Sequence, residues 1–150
     1  MRSILCFLFI ALIGAPAFAS DQIKTIESKY SVKESLDRLS AILTKKGIRV
    51  MARVNHAAGA KAVGLKLPPT ELLIFGNPKL GTPLMQTNRL IGLDLPMKVL
   101  AWQDAGGKVR VSYTTPAALQ ARHNVTGREK IFATMTKALG GLTGKAAGVK

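Results

Sequence analysis

The amino-acid pattern predicts an α+β domain, with a mostly antiparallel five-stranded sheet and helices packed on one face. Three observations carry that expectation. Stretches of two-residue alternation interleave with stretches of helical spacing in the order β-α-β-α-β-α-β-β-α-α. Residues 97–103 and 108–114 flank Asp104-Ala105-Gly106-Gly107, a tight hairpin that joins antiparallel strands. The last two helices follow one another with no strand between them, which favours α+β over a doubly wound sheet.

Residues 22–28 read as a short strand. Ser31 and Glu34 form a capping box, each side chain able to satisfy a free backbone N–H at a helix start. Val32, Leu36, Leu39 and Leu43, with Ile42 beside them, then make one apolar stripe. Lys45 and Lys46 suit the negative helix end, and Gly47 can take the left-handed conformation that stops it. Ile48, Val50, Ala52 and Val54 alternate with Arg49, Met51 and Arg53, as in a strand covered on one face. Asn55 caps a short helix over 56–63, and Pro68-Pro69 keeps it from running on.

Leu72 to Phe75 is a continuous apolar run, expected to be a central strand covered on both sides. Asn77-Pro78 is a cap followed by proline at the first helical position, opening an imperfect helix over 79–88 that contains Gly81 and Pro83. In the second hairpin strand Val109, Val111 and Tyr113 face one way, Arg110 and Ser112 the other. Thr115-Pro116 starts a helix to about Arg122. Thr126 with Glu129 makes a second capping box, and Ile131, Phe132, Met135 and Leu139 form the inward stripe of the last helix. Residues 140–150, rich in glycine, alanine and lysine, are expected to be a flexible tail.

The first nineteen residues read as an export address. Arg2, an apolar run from Ile4 to Ile13 too short to span a bilayer, and Ala17-Phe18-Ala19 make a signal peptide cut before Ser20. Residues 20–139 are then a single domain, periplasmic or secreted. The one cysteine, Cys6, leaves with the leader, so the processed chain has no thiol chemistry or disulfide. No later segment is long and apolar enough to cross a membrane. The formal net charge of +14 draws the protein toward anions, but the cations are dispersed along the chain. The export signal argues against nucleic acid as the partner.

The runs PPTELLIFGNPKLGTPLMQ (68–86) and GLDLPMKVLAWQD (92–104) resemble the bacterial domain-of-unknown-function family 302. The flanking RVNHAAGAKAVGLKL (53–67) and YTTPAALQARHNV (113–125) are similar to the same family, so the resemblance covers about residues 32–139. It implies a compact α+β domain that tends to form homodimers. It brings no catalytic residues with it.

Enzyme templates are missing: there is no G-x-S-x-G elbow, P-loop, H-E-x-x-H or G-x-G-x-x-G. The reading is therefore an exported, non-enzymatic binding or accessory module for a small or anionic partner. Candidate ligand-binding residues are His56, Asn77, Thr82 and Trp102. Asn77 and Thr82 stand at a helix start, where free N–H groups can hold an anion; the alternative is that they only turn the chain. Trp102 either lines a ligand groove or anchors one sheet face.

His56, in the first turn of a helix and beside Ala57, Ala58, Gly59 and Ala60, is the candidate metal ligand. A neutral imidazole there could ligate haem iron or copper, with Met85 or a second subunit's His56 as the other ligand. The alternative is an exposed polar residue on a helix whose alanines pack on the sheet. Met51, Met85 and Met97 are not in an M-x-x-M cluster and read as core gap-fillers. His123 reads as a helix cap. A small hydrolase or isomerase with no identifiable nucleophile is the remaining alternative.

Overall fold

A computed structural model describes residues 22–149. The stretch read above as a leader, with Cys6 and the expected cut before Ser20, lies outside the described residues. Ten elements follow in the expected order: β1 (Ile23–Ser28), α1 (Val32–Lys45), β2 (Arg49–Asn55), α2 (His56–Ala62), β3 (Thr70–Gly76), α3 (Pro78–Thr87), β4 (Met97–Gln103), β5 (Val109–Thr114), α4 (Pro116–Arg122) and α5 (Glu129–Ala147). A short 3-10 helix, Arg89–Leu93, adds an element that no sequence pattern announces; it starts where the Asn88 side chain accepts the Leu90 N–H.

The five strands form one sheet in the order β1-β5-β4-β3-β2, and every neighbouring pair is antiparallel. β1 and β2 are therefore at opposite edges, and α1 between them packs across β2, β3, β4 and β5. Its Ser31 cap accepts the Glu34 N–H, and Leu36, Leu39 and Leu43 are fully buried. Burial of each contributes about 2 kcal/mol. α5 lies against α1, α4 and β1. Between these helices and the sheet sits the core, where Leu73 and Phe75 of β3 stand opposite Val99 and Met97 of β4.

Four local expectations are corrected. β3 is fully covered on one face only: Leu73 and Phe75 are buried on the α1 side, while Leu72 and Ile74 on the other face are half-buried. In β2 the register shifts between Val50, opposite Phe75, and Ala52, opposite Ile74. This bulge breaks the alternation, so that Arg53 stands opposite Leu73 on the helix side. There it bonds to Asp37, to Glu71 at 2.7 Å and to the Lys33 carbonyl at 3.1 Å.

The Thr126–Glu129 box does not form. Gly127, at φ 71°, turns the chain before the helix, and Glu129 Oε1 instead accepts the Gly127 N–H at 2.8 Å. Nor is the chain frayed from residue 140. α5 continues to Ala147 because its apolar stripe continues: Leu142, Ala146 and Ala147 are buried, while Gly140 and Gly141 face outward. The Lys29 N–H bonds to the Ala147 carbonyl at 3.0 Å, and Arg38 Nε to that of Ala146 at 3.1 Å. The Arg38 guanidinium also lies over the Tyr30 ring, 4.0 Å from its centre.

Candidate functional site

At the end of the sheet where β3 finishes and β4 begins, the chain makes two turns around an apolar pocket. The first is Asn77, whose Oδ1 accepts the Lys79 N–H at 3.0 Å and so caps α3. Pro78 fills the first helical position, and Leu84, fully buried, fixes the helix to the core. The second is Leu95-Pro96, a cis peptide leading into β4. The middle of α5 closes the far side with Met135, Ala138, Leu139 and Leu142.

The pocket so formed has a volume of about 310 Å³. Phe75 and Met97 line it from the sheet, Ile48 and Met51 from the edge, Leu80, Gly81 and Met85 from α3. Asn77 and Thr82 supply its polar side chains. All four methionines among the described residues line it: Met51, Met85, Met97 and Met135. Thioethers are polarizable and flexible, so this wall can adapt to the shape of an apolar guest. No titratable side chain belongs to the lining.

Three residues singled out in the sequence thus meet in one place: Asn77, Thr82 and Met85. The other two do not join them. Trp102 stands on the opposite sheet face, where its Nε1 donates to Ser112 Oγ at 3.0 Å and that hydroxyl meets Thr25 Oγ1 at 2.9 Å. It anchors that face. His56 is exposed at the start of α2, just past the Asn55–Glu71 pair. By strand rise it is about 16 Å along the sheet from Gly76 and the pocket. One chain therefore does not bring His56 and Met85 together. Among the described residues no group of three or more His, Asp, Glu or Cys side chains is placed to hold a metal ion.

The methionine lining was missed in the sequence because its members come from four separate elements and share no spacing. The usable signal was positional: Met51 follows the start of β2, and Met97 starts β4, so antiparallel pairing puts both at one end of the sheet.

His123 caps α4 as expected, its N–H reaching the Leu119 and Ala121 carbonyls. Its ring adds a partner that the sequence did not reveal, Asp94 Oδ2 at 2.6 Å, and Arg122 reaches the same carboxylate at 3.1 Å. Burial pushes the Asp94 carboxyl up, but the His123 and Arg122 hydrogen bonds outweigh it and hold its pKa below the ordinary carboxylate range. A lowered folded-state pKa stabilises the fold above the unfolded carboxylate range and is lost as pH falls through the folded value. Asp94→Asn is accordingly expected to cost about 1 kcal/mol near neutrality. It should also shallow the fall in melting temperature between about pH 5 and about pH 2. Thermal unfolding followed by circular dichroism across that range checks both; parallel curves for the two proteins would contradict the linkage.

A family model described as "Domain of unknown function DUF302" matches residues 24–142. The chain belongs to the DUF302 family. An uncharacterized conserved DUF302 protein from Bacillus stearothermophilus has the same fold, with a TM-score of 0.74 over 84% of this chain and 98% of that one. At 22% sequence identity this likeness concerns the fold only.

This DUF302 chain is also similar to the fluoride-specific ion channel FluC 1 of Brucella suis biovar 1, at 54% identity over 101 residues, or 67% of this chain and 40% of that one. The FluC 1 protein of Brucella abortus and the FluC 2 protein of Brucella melitensis match equally, with 37% of each covered. The chain spans about two-fifths of the length of the curated relatives it matches. Among its own described residues no helix is long and apolar enough to cross a membrane.

Proposed function

We propose that this DUF302 protein is an exported, non-enzymatic accessory module that holds a small, mainly apolar molecule in the pocket between α3 and α5. The observation that carries this reading is the lining itself: four methionines, leucines, Ile48 and Phe75, with Asn77 and Thr82 as the polar side chains. At about 310 Å³ the space has the size of a small-ligand site. Transfer of an apolar guest from water onto such a wall is favourable in proportion to the area covered. Asn77 and Thr82 would orient a guest with one polar end.

Export is supported by the leader-like features from Arg2 to Ala19. The accessory role draws support from the relatives named as fluoride channels, in which the similar stretch makes up 37–40% of a longer chain. Their name, together with the net charge of +14, favours a second reading in which the partner is a small anion. A haem or copper site would draw on the His56 of two copies, because Met85 faces the pocket at the other end of the sheet. A homodimer of that kind would use one of the two sheet edges, β1 or β2.

The apolar reading is tested with N-phenyl-1-naphthylamine, whose fluorescence rises on leaving water. Ala138→Leu fills part of the pocket and is expected to weaken dye binding at least tenfold, or about 1.4 kcal/mol. Met85→Leu conserves volume and should leave binding nearly unchanged. Unaltered affinity in Ala138→Leu would set the pocket aside as the binding site. Calorimetric titration with sodium fluoride examines the anion reading separately.

A further inference from the structure

We infer that the segment from Lys61 to Leu67 docks the domain on an anionic lipid surface. α2 buries none of its residues, so the segment after it stands away from the core. Its backbone is nevertheless hydrogen-bonded as far as Leu65. The Ala60 carbonyl accepts the Val63 and Leu65 N–H groups at 3.1 and 2.9 Å, the Lys61 carbonyl accepts that of Gly64 at 3.1 Å, and Gly64 sits at φ 75°. This hydrogen-bonded turn and the two residues after it present three aliphatic side chains to solvent: Val63 is 72% exposed, Leu65 67% and Leu67 44%. A side chain that pays for its order with no burial within the chain is in place to be buried by something else.

Charge says by what. Lys61 and Lys66 are exposed among these apolar side chains, and neither forms an ion pair among the described residues. No acidic residue occurs from Asn55 to Thr70, and the next, Glu71, is held by Arg53 at 2.7 Å. A second copy laid on the segment would bring lysine against lysine. Lipid phosphates supply the opposite sign, while the aliphatic side chains enter the boundary between headgroups and acyl chains.

The test uses residues 20–150, which contain the whole described fold and lack the apolar run at 4–13 that would itself enter lipid. Sedimentation with phosphatidylglycerol-containing vesicles should bring the protein down, and vesicles of phosphatidylcholine alone should not. Raising sodium chloride from about 50 to about 300 mM should weaken binding about tenfold or more. Lys61→Glu with Lys66→Glu should weaken it at least about tenfold. The same loss is expected from Val63, Leu65 and Leu67 all changed to serine, which leaves the charge untouched. Lys137→Glu, on the outer side of α5, should bind like the parent.

Circular dichroism should be unchanged in every variant, because the altered side chains are exposed. Two outcomes would overturn the inference. Equal sedimentation of the parent and the serine variant would assign binding to the dispersed basic surface. A dimer that the serine variant dissolves, with no vesicle binding, would give the segment to a second copy.

Discussion

A chain ended after Leu139 is expected to lose about 5 kcal/mol or more of stability, comparable with the whole stability of a small domain. The residues removed include Leu142, Thr143, Ala146 and Ala147, all buried against the sheet and α1. Deleting a buried leucine costs about 3 kcal/mol by itself. The truncation also leaves the Lys29 N–H and the Arg38 guanidinium without the Ala147 and Ala146 carbonyls, at about 1 kcal/mol or more each. Urea unfolding followed by circular dichroism measures the effect. A midpoint equal to the parent's would mean that residues 140–147 contribute nothing to folding, as the glycine-rich composition first suggests.

The second large effect separates the pocket from the core. Leu84→Ala and Leu39→Ala each remove a fully buried leucine and are each expected to cost about 3 kcal/mol. Their positions differ. Leu39 fastens α1 across the sheet, whereas Leu84 is the one buried residue of α3, the helix that carries Asn77's cap, Thr82 and Met85. With Leu84 gone, α3 keeps only partly buried contacts, and its wall of the pocket loosens. Binding of the naphthylamine dye should therefore weaken in Leu84→Ala and persist in Leu39→Ala at equal folded fractions. Equal dye affinity in the two variants would show that the guest does not depend on α3.

Much of the fold was legible because its local signals agree with one another. Ser31, Asn55, Asn77 and Thr115 each cap the helix that the sequence assigned to them, and the Asp104–Gly107 turn joins the strands expected on either side. What escaped notice depends on partners distant in the chain. The bulge at Met51 is set by pairing with β3 and reverses which side Arg53 faces. The continuation of α5 depends on a sheet that covers Leu142 and Ala146, which no window of eleven residues contains. The pocket shows both cases: Asn77 and Thr82 stood out locally, while the meeting of four methionines required the assembled sheet.

The placement of Trp102 has a practical consequence. It is the only tryptophan in the sequence, and its indole N–H is engaged by Ser112 on the face away from α1 and α5. Direct contact with a guest in the methionine-lined cavity will consequently not set the colour of its emission, which a naphthylamine dye there can only dim by energy transfer. That emission will instead change colour when another body settles onto the Trp102 side of the sheet, giving a built-in optical gauge for contacts that a dye in the cavity does not register.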